Sequence, residues 1–233
     1  MKKLYFLVLA MIMAAGCAGQ GGTDVVISIS VNAPVADDVI AVCHNDIHTS
    51  KLDEAGSAVL NFSRIDAAYI TLYHGRESVR LYVEGGDEVR MAFDGNNMAC
   101  SYVIESGKSA AAKYLNNVKL IPLPDEDYAL PFDEYRTRLA AKESDAVKLL
   151  DAMNLSGEGD FRKMEAARIK YAYGSALLMY PVGHMIMSGN PDFTPEQGYY
   201  DFIATYVVED KLLLALDEYR EYVAEAMHVL DAD

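Results

Sequence analysis

The segment CHNDIH at 43–48 gathers residue types that bind metals. Cys43, His44, Asp46 and His48 each carry a ligand atom suited to zinc or a similar ion. The spacing argues against a site. In an extended segment His44 and His48 share a face but lie about 13 Å apart, at roughly 3.3 Å per residue. Only a tight turn at Asn45–Asp46 would converge them, and Asn-Asp reads more simply as a hairpin turn. No metal is expected. The acidic groups Asp53–Glu54, Asp125–Glu126–Asp127 and Asp133–Glu134 invite a glycosidase reading. That chemistry needs two carboxylates across a cleft rather than adjacent in a loop, so they read as solvated surface. Sixteen tyrosines accompany no tryptophan. Tyr171, Tyr173 and Tyr180 in one helical segment, and Tyr199, Tyr200 and Tyr206 in the next, could line a groove for a glycan or peptide. The simpler reading packs the rings between helices with the hydroxyl reaching solvent or a partner. His184, beside Pro181 and Gly183, reads as a structural helix-end histidine. No serine nucleophile elbow, phosphate loop or zincin motif occurs, and neither a catalytic residue nor a cofactor is assigned.

Cys17 carries a different chemistry. Lys2 and Lys3 precede an uncharged apolar stretch, LYFLVLAMIMA at 4–14. That stretch falls short of the roughly 20 apolar residues a membrane span needs, but it has the size of a signal-peptide core. Ala14, Ala15 and Gly16 then lead directly into Cys17. A cleavage site ending in cysteine looks like a lipobox, in which the thiol is acylated and the cysteine becomes the new N-terminus. Position 14 is Ala, where Leu is commoner. Residues 1–16 are therefore expected to be a lipoprotein signal peptide, Cys17 the lipidation site and 17–23 a flexible Gly-rich tether. Two or three acyl chains suffice for stable anchoring, at about 0.8 kcal/mol per buried methylene. Residue 18 is Ala, with no acidic run after it. The expected location is the cell envelope, on the outer membrane facing the periplasm.

The formal charge of −15 argues against nucleic acid as a partner. Loss of 1–16 would remove two lysines and no acid, taking the charge to −17. Such a chain is repelled by anionic lipid, so a membrane is engaged through the covalent anchor. A hydrophobic content of 52% marks a globular chain. Cys43 and Cys100 remain as a candidate disulfide in an oxidising compartment. Each also reads as a small buried hydrophobe in a strand-like segment.

Two periods divide the rest. From 24 to 105, short alternating runs read as strands at 25–31, 38–44, 57–63, 68–74, 79–84, 88–94 and 100–105, separated by Gly, Asp and Asn turns. The alternation in VVISISV places Val25, Ile27, Ile29 and Val31 on one face. From 106 to 233 the period becomes helical: 106–121 from a Ser106 cap, 132–154, 160–180 ended by Pro181, 194–210 with Thr194 as cap and Pro195 at the first helical position, and 211–230. The fold class is α+β: an N-terminal antiparallel β-sandwich domain at 24–105, then a C-terminal α-helical bundle at 106–233.

LDEAGSAVLNF (52–62), LYVEGGDEVRMAFD (81–94) and YVIESGKSAAAKYLN (102–116) resemble the N-terminal region of TlpA-like thiol–disulfide oxidoreductase lipoproteins of the Bacteroidetes type. The matching features are the E-x-G-D turn at Glu84, Gly86 and Asp87, and Gly107 at the helix start. LLLALDEYREYV (212–223) resembles the end of their helical region. In that family a thioredoxin-fold domain with a W-C-x-x-C motif follows, whereas this sequence holds no tryptophan and no C-x-x-C. Dithiol catalysis needs two cysteines close enough to exchange. The resemblance thus implies the family's non-catalytic front region. The expected function is a membrane-anchored binding or scaffold module holding a peptide, protein or small ligand in a groove between its two domains. The alternative is an adaptor for, or a truncated relative of, a thioredoxin-fold reductase.

Overall fold

A computed structural model describes residues 23–44, 46–120, 122–206, 208 and 210–232. The expected signal peptide at 1–16, Cys17 and the expected tether up to residue 22 lie outside the described residues. The α+β class holds, with eight strands preceding a helical region. The chain forms two compact units. One contains the strands and runs to residue 119, with 153–162 added; the other contains 120–152 and the chain from 163 onward. Residues 106–119 and 153–162, expected in the helical domain, therefore belong to the sheet unit.

The sheet unit holds β1 (Thr23–Asn32), β2 (Asp38–Cys43), β3 (Asp46–Lys51), β4 (Ser57–Ile65), β5 (Ala67–His74), β6 (Glu77–Glu84), β7 (Glu88–Asp94) and β8 (Val103–Ser106). One sheet has the order β4-β1-β7-β8 and the other β3-β2-β5-β6. All neighbours pair antiparallel except β1 and β7, which run parallel with Ile27 opposite Val89. A wholly antiparallel sandwich was the expectation, and this pair departs from it. Period-two alternation puts Val25, Ile27, Ile29 and Val31 inward. They share one core with Ile70, Leu72, Val89, Met91 and Phe93, drawn from both sheets.

β3 was not expected as a strand. Its sequence DIHTSK lacks apolar alternation, and its one large apolar residue, Ile47, is 71% exposed. It is an edge strand held by pairing to β2, with Cys43 opposite Asp46. A short helix α1 (Met98–Ser101) replaces the start of the last expected strand and buries Met98 as a plug. Helix α2 (Ser109–Asn117) buries Ala111, Ala112, Tyr114 and Leu115. Its Asn116 side chain accepts from the Arg80 N–H and donates to the Arg80 carbonyl, both at 2.9 Å. One amide thus occupies backbone groups on the free edge of β6, which blunts that edge.

The helical unit is built on α3 (Phe132–Asp151), α4 (Phe161–Ser188), whose first two residues belong to the sheet unit, and α6 (Asp217–Ala232). Shorter pieces are α5 (Ile203–Tyr206) and 3-10 turns at Asp125–Ala129, Tyr199–Phe202 and Lys211–Ala215. Tyr135, Leu139, Ala146 and Leu150 form the buried face of α3. Helix α4 does not end at Pro181, as the sequence suggests, but runs on to Ser188. Proline removes the N–H that would bond the carbonyl four residues back. Here that carbonyl, Leu177 O, accepts from the Tyr199 hydroxyl at 2.7 Å. The helix expected from Thr194 does not form. Gly198 takes φ +83, a left-handed conformation that interrupts it, and only the 3-10 turn and α5 follow. The helix expected from 211 begins as a 3-10 turn capped by Asp210, whose carboxylate accepts from Leu212 N–H at 3.0 Å.

Candidate functional site

The residues singled out in the sequence are dispersed along the chain. Cys43 is buried at the end of β2, whereas Cys100 is exposed in α1. No disulfide joins them, and Cys100 lies in a helix rather than a strand. The turn of CHNDIH falls between Cys43 and Asp46, with His44 at φ +54. His48 lies opposite Ala41 and packs on Phe62, ring centroids 4.5 Å apart. Among the described residues no group of three His, Cys, Asp or Glu side chains is placed to hold a metal ion.

The acidic clusters have local work. Asp53 accepts from Ala55 and Ser57 N–H at 2.9 and 2.8 Å, shaping the turn before β4. Asp127 and Glu134 both pair with Arg138, at 3.1 and 2.7 Å.

Tyrosines of the helical unit form a network of ring contacts, continuous from Tyr199 through Phe202 to Tyr206. Tyr135 lies 4.7 Å from Tyr180 and stacks on Tyr128 at 5.1 Å. Tyr171 meets Tyr219 at 4.8 Å and Tyr222 at 5.5 Å. Their hydroxyls donate mainly to carbonyls: Tyr135 to Ala176 O, Tyr180 to Leu130 O and Tyr171 to Tyr206 O, at 2.8 to 3.0 Å. Burial, above all, raises the pKa of Tyr135, Tyr171 and Tyr199 well above the ordinary phenol value. They therefore stay protonated and remain donors. His184 is also engaged by backbone. Its Nδ1 lies 2.8 Å from Tyr128 O, an acceptor, so Nδ1 carries the proton, and its ring stacks on Tyr180.

Glu84 and Asp87 of the E-x-G-D turn meet the start of α2 in the sheet unit. Lys108, next to Gly107, lies 3.4 Å from Glu84 and 2.5 Å from Asp87. Glu84 also accepts from Tyr82 Oη at 2.8 Å and from Asp160 N–H at 2.6 Å. Glu158, buried, accepts from Ala110 and Ala111 N–H and so caps α2, which has no side-chain cap of its own. Gly159 stands at φ +61 directly against the Glu84 carboxylate. Phe161 packs on Tyr82 and Tyr114. This assembly fastens α2 and the 153–162 segment to the sandwich, a structural task.

A concave feature among the described residues lies inside the helical unit. A groove of about 970 Å³ runs between residues 194–204 and the end of α6 at 228–230. Gly198 turns the chain so that Glu196 and Asp201 both line it, bonded through Tyr199 N–H to Glu196 O and Asp201 N–H to Gly198 O. Pro195, Ile203, Val229 and Leu230 supply the apolar lining, and Tyr199 and Tyr200 the aromatic part. Tyr199 is fixed from below by its bond to Leu177 O and by its contact with Phe132 at 5.0 Å. Glu196, Asp201 and Leu230 were not expected as site residues. The legible signal was Gly198, which breaks the helix read through it. No protein-family model, curated protein or solved structure matches the chain.

Proposed function

We propose that the chain is a lipid-anchored lipoprotein of the cell envelope, on the outer membrane facing the periplasm, acting as a binding or scaffold module without catalysis of its own. The observation that carries this reading is the run MKKLYFLVLAMIMAAGC: a positive start, a short apolar core and small residues ending on Cys17. The groove at 194–204 and 228–230 supports the binding part, since a concave, mostly apolar surface with a few polar groups is what ligand sites share. The engaged hydroxyls and imidazoles described above favour packing over chemistry for those side chains. A thioredoxin-fold reductase is the partner class that the family resemblance suggests.

Fractionation of expressing bacteria tests the anchor. The native chain should sediment with membranes, resist high salt and be released by detergent, while Cys17→Ser should lose its membrane association. Equal membrane binding by both would defeat the lipid reading.

A further inference from the structure

We propose that the groove of the helical unit accepts a cationic, apolar peptide segment, one that presents Lys or Arg between aliphatic side chains. The inference rests on the binding-module reading and names the ligand class of its groove. The lining contains two carboxylates, Glu196 and Asp201, one imidazole, His228, and neither Lys nor Arg. Both acidic residues are exposed. Among the described residues neither carboxylate has a cationic partner, although nearby acids do: Lys163 takes Asp210 at 2.6 Å and Arg138 takes Asp127 and Glu134. Thr194, Gln197 and His228 add polar groups, and the rest of the lining is mainly apolar or aromatic, with Pro195, Ile203, Val229, Leu230, Tyr199 and Tyr200. Two carboxylates without a cationic partner, in a lining that is otherwise mostly apolar and aromatic, complement a cationic head on an aliphatic stem, the form of Lys and Arg side chains. A neutral apolar ligand would leave the carboxylates facing a low-dielectric neighbour, and an acidic one would be repelled by them and by the formal charge of −15.

The test uses the full chain in non-ionic detergent and three dye-labelled peptides of equal length, alternating Leu with Lys, Gln or Glu. Fluorescence anisotropy should show the Lys peptide binding about tenfold or more tightly than the Gln peptide, with affinity falling as salt rises. The double substitution Glu196→Gln and Asp201→Asn should remove that preference. Asp37→Asn with Glu54→Gln makes the same change in net charge within the sheet unit and should leave the preference intact. Equal loss in both double variants would show attraction to the acidic chain as a whole and overturn the inference. Lys and Gln peptides bound equally, both lost in Leu230→Lys, would overturn the charge selection while leaving a working groove and the binding reading in place. No binding of any peptide would overturn the inference too; the anchor stands or falls separately on the Cys17→Ser fractionation.

Discussion

Gly159 sits where a side chain has no room. Its φ of +61 is left-handed, and a Cβ there would overlap the Glu84 carboxylate, which Lys108 and Asp160 hold in place. Gly157 has a similar φ of +82 but nothing near it. Gly159→Ala should therefore destabilise the protein by about 2–3 kcal/mol and Gly157→Ala by about 1 kcal/mol. Equilibrium denaturation of the two variants checks the difference; equal losses would mean that backbone conformation alone matters. Glu158 is the neighbouring case. It caps α2 from 47 and 48 residues away, so Glu158→Ala should cost about 1–2 kcal/mol. Hydrogen exchange at Ala110 and Ala111 should speed up first.

At the scale of elements, Pro181 and Tyr199 should behave as one unit. Tyr199→Phe leaves Leu177 O without a donor and should cost about 1–2 kcal/mol. With Pro181→Ala the backbone N–H at 181 returns and can serve that carbonyl. The cost of Tyr199→Phe should then shrink, and a double-mutant cycle by denaturant unfolding would show the coupling. Additive losses would contradict this account of why α4 continues. The same region shows what the sequence made legible. The sandwich strands were readable because half of each must face a core, so alternation is imposed on Val25 to Val31 and on Val89 to Phe93. β3 was not, because an edge strand with both faces near solvent needs no pattern. Pro181 misled because its missing hydrogen bond is made good by a residue 18 positions later. The groove was hidden for a related reason: the periodicity around 194–210 suits a helix, and one left-handed glycine overrides it. The E-x-G-D turn was visible, but its role as a clamp on Lys108 depends on residues 153–162, far along the chain.

For the whole molecule, excess acid makes stability depend on pH in two opposed ways. Burial raises the carboxyls of Glu143 and Glu225 above the ordinary 4.5. Such groups contribute stability that is present below that value and is lost as pH rises through the raised one. Asp210 is lowered below 3.8, chiefly by its hydrogen bond from Lys163, and contributes stability above 3.8 that is lost as pH falls through the lowered value. Glu225→Gln should therefore be more stable than the native chain at neutral pH, with the gain vanishing below 4.5. Asp210→Asn should be less stable at neutral pH, with the gap closing in strong acid. Unfolding curves across pH decide both. The proposed place of the molecule in the cell rests on Cys17. The most direct measurement is the intact mass of the native chain extracted from bacterial membranes. A chain starting at Cys17 and carrying the mass of a diacylglyceryl group is the expected result. An unmodified polypeptide, or one starting at another residue, would contradict it.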